Sequence, residues 1–110
     1  MKTKKKLLKF FVKENTWLSG VSHGWGNGYV VVPKGHKYHG VGYDNIPVDV
    51  HGGLTFAENA SKIDWPEIPR GCKSGWIVGF DTAHYNDSQN KWTQSMVIKE
   101  TENLAKQLSK

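Results

Sequence analysis

Asp49-Val50-His51-Gly52-Gly53-Leu54-Thr55-Phe56 is an apolar, strand-like run broken by a histidine and two adjacent glycines. How it is read decides the fold around it. Val48, Val50, Leu54 and Phe56 keep one parity across the glycine pair, as a single strand bent at a bulge requires. The alternative is a hairpin turning at Gly52-Gly53. We expect the bent strand, in which Asp49 and His51 project from the same face about 6–7 Å apart. Thirty residues on, Gly79-Phe80-Asp81-Thr82-Ala83-His84 has the same build, a buried-looking run ending in ionisable groups.

Working outward, Tyr29-Val30-Val31-Val32 is the clearest strand, stopped by Pro33, which lacks the amide donor a ladder needs. Residues 76–80 form a second strong strand, and residues 7–12 a third on their Phe-Phe-Val content. Residues 17–21 suggest a further short strand. Residues 22–28 hold three glycines in five positions and read as a tight turn or loop carrying Trp25. Residues 34–47 read as an irregular loop, and residues 57–63 as a short helical turn. Two prolines within four residues keep 64–71 irregular. Residues 86–90 read as a polar loop. The one convincing helix is C-terminal: Val97, Thr101, Leu104 and Leu108 fall at i, i+4, i+7 and i+11, with Met96 and Ala105 beside them. Lys99, Glu102, Asn103 and Lys106 form its polar side. The expected fold is α+β, a small, twisted, mainly antiparallel sheet of four to six strands with this helix packed on it.

At 110 residues the chain is long enough for one core. All twelve glycines lie between Gly20 and Gly79, which agrees with a turn-rich β middle. The net charge of +5 is unevenly spread. Residues 1–13 carry six lysines and no acid, whereas the remaining 97 carry nine bases against ten acids. The expected organisation is a basic, partly disordered arm over residues 1–13 and a single α+β domain over 14–110. A charge confined to an arm, with no basic stripe through the body, argues against duplex nucleic acid as the partner. No apolar run reaches the ~18 residues of a membrane span. The apolar segment at 7–12 is too short, and too charged at Lys9, for a signal peptide. A single cysteine, Cys72, can form neither an internal disulfide nor a cysteine-based zinc site, and a reducing cytoplasm fits it.

His51, Asp81 and His84 are the groups most able to do chemistry. If the strand at 48–56 neighbours that at 76–81, they converge, with a carboxylate to orient one imidazole and a second imidazole to move a proton. The same types could be turn caps in glycine-rich loops, or a two-histidine, one-carboxylate metal site. No cofactor fingerprint is present, and neither a metal nor a cofactor is expected. Gly52 and Gly53 offer bare backbone for close approach by a phosphate. Lys34, Lys37 and Arg70 are candidate phosphate contacts, Trp25 and Tyr38 candidate stacking rings, and His36, Asp49, His51, Asp81 and His84 further ligand contacts.

The succession Gly28-Tyr29-Val30, Val32-Pro33-Lys34-Gly35-His36, Tyr43-Asp44, Val50-His51-Gly52-Gly53-Leu54-Thr55-Phe56, Gly79-Phe80-Asp81 with Ala83-His84, and Glu102-Asn103-Leu104-Ala105 resembles a family of small bacteriophage and prophage proteins. The similarity covers roughly residues 24–108 and is most specific in the His-Gly-Gly and Gly-Phe-Asp-x-Ala-His blocks. It implies a phage origin and work in the cytoplasm of an infected bacterium, and it carries no catalytic role with it. Three readings follow. The first is a protein that binds a small, anionic, nucleotide-like molecule, sequestering an immune signal of the host. The second is a hydrolase of such a molecule using His51, Asp81 and His84. The third is an inhibitor that docks aromatic loops on a host protein. A homo-oligomer suits the first, because a chain this short encloses a nucleotide more easily with a second copy.

Overall fold

The computed structural model describes residues 7–16 and 23–109. Four strands, β1 (Phe10–Glu14), β2 (Gly26–Val32), β3 (Phe56–Asn59) and β4 (Trp76–Phe80), form one antiparallel sheet in the order β1-β2-β4-β3. Helix α1 (Gln94–Leu108) packs on it, so the chain is an α+β fold. The sheet takes in Phe10–Lys13, so it reaches into the basic segment assigned to an arm. Residues 1–6 and the strand expected over 17–21 lie outside the described residues.

β2 is buried along its whole length because both faces of the sheet are covered. On one face Val30 and Val32 of β2, with Val78 and Phe80 of β4, meet Val97, Leu104, Ala105 and Leu108 of α1. On the other, Tyr29, Val31, Ile77 and Phe11 lie beneath Ala60, Ile63 and Cys72, with Trp65 and Ile68 packed alongside. The proline-rich segment is thus a lid on the second face, fastened by the rings of Trp65, Phe56 and Tyr29. Continuous Val-Val-Val, rather than alternation, is what a strand covered on both sides requires. The helix period holds: Val97, Thr101, Leu104 and Leu108 are all buried, whereas Met96 is exposed. Thr93 caps the helix, its hydroxyl accepting from the Met96 amide.

Two expectations are corrected. Gly26 and Gly28 belong to β2 and not to a turn. They are bare because neighbours press on the strand: a Cβ on Gly26 would fall on the Lys13 carbonyl, and one on Gly28 on the Thr101 hydroxyl and the Phe80 ring. Gly28 marks close approach by the helix, and Gly26 by the backbone of the neighbouring β1. Nor do residues 48–56 form a bent strand. Gly53 N–H donates to the Val50 carbonyl at 2.8 Å, closing a tight turn over His51 and Gly52, and β3 begins only at Phe56. Gly52 (φ +68°) and Gly53 (φ +77°) both take left-handed backbone, so the pair acts as a turn and not as a bulge. The helical turn expected over 57–63 shrinks to Ala60–Lys62, after β3.

Candidate functional site

The end of the sheet where β2 begins and β4 finishes gathers the ionisable groups. Phe80 is the last residue of β4, and alternation turns Asp81 away from the helix side on which Phe80 lies. The chain then bends so that His84 comes back beside Gly52. A Cβ on Gly52 would fall on His84 Nε2, so this glycine is fixed by its neighbour as well as by its positive φ. His51, one residue earlier, lies edge-on to His84 with the ring centres 5.4 Å apart. Its other side leans on the Trp92 indole, with centroids 4.3 Å apart. Its backbone N–H donates to Glu100 Oε2 at 2.8 Å, which ties the turn to α1.

Each imidazole has its own carboxylate. His51 Nε2 lies 2.9 and 3.0 Å from the two oxygens of Asp87, a residue only 4% exposed. Asp87 Oδ2 also accepts the His84 backbone N–H at 2.9 Å, so one buried carboxylate positions both histidines. With Nε2 held there, His51 Nδ1 has no protein hydrogen bond among the described residues. His84 Nε2 stands 3.1 Å from Asp81 Oδ1, off the line of a hydrogen bond, and so has no hydrogen-bonding partner. Asp81 is held in turn by the Ala83 N–H at 3.0 Å. The outcome is two imidazoles in edge-on contact, one bonded to a buried carboxylate and the other beside a second.

A cavity of about 170 Å³ opens beside Asp81, lined by Asn15, Asn27, Tyr29, Thr55, Phe56, Asp81 and Ala83. Burial, the largest influence, pushes the Tyr29 phenol above its ordinary value near 10; the Asn27 hydrogen bond pulls the other way, and the charges of Asp81 and Glu67 add to the rise. The ring therefore keeps its proton at neutral pH. A larger cavity of about 290 Å³ lies elsewhere, among Leu8, Lys9, Val31, Pro33, Cys72 and Gly75. No histidine or carboxylate among the described residues lines it, so the larger of these two spaces lies apart from the imidazoles.

Of the residues singled out in the sequence, His51, Gly52, Asp81 and His84 come together. Trp25 is adjacent through its N–H to the Trp92 carbonyl, but its ring is half-buried against the core. Gly53 completes the turn and is exposed. Asp49 is exposed too, and Gln107 of α1 bonds its backbone N–H and carbonyl. The other candidates lie at the opposite end of the sheet, where β2 finishes opposite Trp76. The two ends are separated by four residues of β2, roughly 13 Å. There His36 Nε2 donates to the Leu108 carbonyl at 2.6 Å and caps α1, while Lys37 lies over the ring of Tyr38. Lys34, two residues past β2, is exposed and sits with this group, and Arg70 is exposed in the proline-rich segment over the second face. The expected set of ligand contacts is therefore divided.

Asp87, Trp92 and Glu100 were missed in the sequence. Asp87 had a readable signal. It follows His84 at i+3 behind Asn86, and asparagine tolerates the left-handed backbone (φ 73°) that swings the aspartate inward. Trp92 and Glu100 had none, because their role arises only when α1 docks. Among the described residues no three His, Cys, Asp or Glu side chains are arranged to hold a metal ion, and no helix is long and apolar enough to cross a membrane. No protein-family model, curated protein or solved structure matches the chain.

Proposed function

We propose that this chain binds a small molecule at the sheet end built by His51, Asp81, His84 and Asp87. In the phage setting that the resemblance implies, the ligand is a nucleotide-like immune signal of the host, held out of circulation in the cytoplasm of the infected cell. The observation that carries the reading is the pair of imidazoles 5.4 Å apart, each beside its own carboxylate, packed against a glycine that must stay bare. A turn cap needs one polar group bonded to backbone. This cluster instead commits two histidines and a buried aspartate to one another at a surface beside a cavity.

Hydrolysis of the same ligand is the second reading, and one feature favours it. A carboxylate holds His51 at one nitrogen and leaves the other free, the arrangement of a general base. The third reading, an aromatic surface docked on a host protein, has less support, because Trp25 and Trp65 are both half-buried against the core faces.

The test is to mix the purified protein with a panel of cyclic and ADP-ribose-type nucleotides, denature it, and separate the small molecules by chromatography. A nucleotide that disappears on mixing and returns intact marks sequestration. One that returns as fragments marks hydrolysis. No change with any member of the panel, and no shift in melting temperature, would end the nucleotide reading.

A further inference from the structure

Asn15 and Asn27 are 8% and 9% exposed, both line the cavity beside Asp81, and in both the side-chain Oδ1 has no hydrogen-bonding partner among the described residues. A buried acceptor left unpaired costs about 1–3 kcal/mol, so two in the wall of one cavity call for an explanation. Asn15 is oriented by its Nδ2 donating to the Gly24 carbonyl at 3.5 Å, and Asn27 by its Nδ2 donating to the Tyr29 hydroxyl at 3.3 Å. Those bonds direct the amide nitrogens away and leave the oxygens over. The third polar wall is the Asp81 carboxylate, whose Oδ2 makes no hydrogen bond among the described residues. No lysine or arginine among the described residues lines the space, and two of its remaining walls are the rings of Tyr29 and Phe56.

Two unpaired amide oxygens, one negative charge and aromatic faces, with only the Tyr29 and Thr55 hydroxyls as side-chain donors, form a recess complementary to a flat group rich in N–H. A phosphate would meet the Asp81 carboxylate with no cation from the lining residues to offset it. At about 170 Å³ the space takes a planar head group and leaves the rest of a nucleotide-sized ligand outside. We infer that this cavity receives a guanidine-type edge, with adjacent N–H donors shared between the Asp81 carboxylate and the carbonyl oxygens of Asn15 and Asn27. That edge is found in a guanidinium compound and, equally, in the N1–H and N2–H₂ groups of a guanine base. The inference rests on the small-ligand reading above and names the part of the ligand that enters first. It also places Asp81 at the junction, since this carboxylate faces the cavity on one side and His84 on the other.

The test is calorimetric titration of the full chain with guanosine, inosine and adenosine monophosphates and with methylguanidinium, repeated on Asp81→Asn, Ala83→Leu and His51→Ala. Guanosine monophosphate is expected to bind, and inosine monophosphate, lacking the N2 amine, to bind at least about tenfold more weakly. Adenosine monophosphate, with no N1–H, should give no heat. Asp81→Asn should weaken binding by about tenfold or more, because it replaces an acceptor with an amide that can turn a donor towards the ligand. If Asp81→Asn fails to fold, Ala83→Leu, a change at an exposed position on the cavity wall, should block entry instead. Binding of methylguanidinium alone, lost in Asp81→Asn, identifies a free guanidinium compound as the source; binding of guanosine monophosphate alone identifies the base. Either supports the inference. Equal binding of all three nucleotides, binding indifferent to both Asp81→Asn and Ala83→Leu, or no binding by any guanidine-bearing probe overturns it. A different ligand that binds wild type and is lost in His51→Ala would overturn the inference while leaving the small-ligand reading in place.

Discussion

The two ends of the sheet carry the same residue type in opposite employment. At the end where β2 finishes, His36 and His39 bond main-chain carbonyls, those of Leu108 and Ser74. At the other end, His51 and His84 face the carboxylates of Asp87 and Asp81. A histidine on a carbonyl satisfies a leftover acceptor and fastens the fold. A carboxylate on one edge of a histidine orients the ring towards whatever meets its other edge. The partner, more than the residue, separates the structural histidines from the candidate functional ones. Lys34 and Lys37 gather at the structural end, whereas Asp81, Asp87 and Glu100 gather at the other, where Lys91 also reaches the Asn86 carbonyl.

The sharpest way to break this contrast is at Asp87. Asp87→Ala removes the acceptor for His51 Nε2 and for the His84 amide together, and should lower stability by about 3 kcal/mol and abolish ligand binding. Urea denaturation with a binding assay in parallel checks both. Gly52→Ala should cost about 2 kcal/mol, through a left-handed backbone and the collision with His84, again with loss of binding. Its crystal structure or imidazole NMR signals should show His84 displaced. At the other end, His36→Ala should cost about 1 kcal/mol from the lost cap on α1 and leave ligand binding unchanged. If His36→Ala impaired binding as much as Gly52→Ala does, the division between the ends would fall.

The smallest effect lies in the alkaline range and concerns Tyr29. Its phenol titrates higher in the folded chain than in the unfolded one, so its contribution to stability is complete below the unfolded value near 10. As pH rises from there towards the folded value, the unfolded chain gives up its proton first and stability falls. Tyr29→Phe should flatten that fall above pH 10 in a series of thermal melts, at the expense of the Asn27 hydrogen bond at neutral pH. An unchanged alkaline slope would show that the phenol does not sit beside Asn27 and the cavity as described.

The fold was largely legible because its signals are local. Val30-Val31-Val32 before Pro33, residues 76–80 and the spacing of Val97, Thr101, Leu104 and Leu108 each contain their own explanation. The glycines misled in both directions for one reason. Gly26 and Gly28 answer to Lys13, Thr101 and Phe80 across the sheet, whereas Gly52 and Gly53 answer to a turn, and residue type alone does not separate the two causes. The site was legible to the extent that His51, Asp81 and His84 belong to two neighbouring segments. Asp87, Trp92, Asn15 and Asn27 join it only through the docking of loops, and Lys34 and Lys37, suggested by charge, lie at the other end of the sheet from the imidazoles.

The central claim is that ligand chemistry belongs to the carboxylate-paired histidines and not to the basic end. The most direct measurement compares His51→Ala with the triple variant Lys34→Ala, Lys37→Ala, Arg70→Ala in the mixing and chromatography assay, using the nucleotide panel and methylguanidinium. The account predicts that the triple variant retains or cleaves the same molecule as wild type, and that His51→Ala loses the capture or turnover of whatever contacts the imidazoles. Capture or turnover that survives in His51→Ala and disappears in the triple variant would contradict it and move the site to the other end of the sheet.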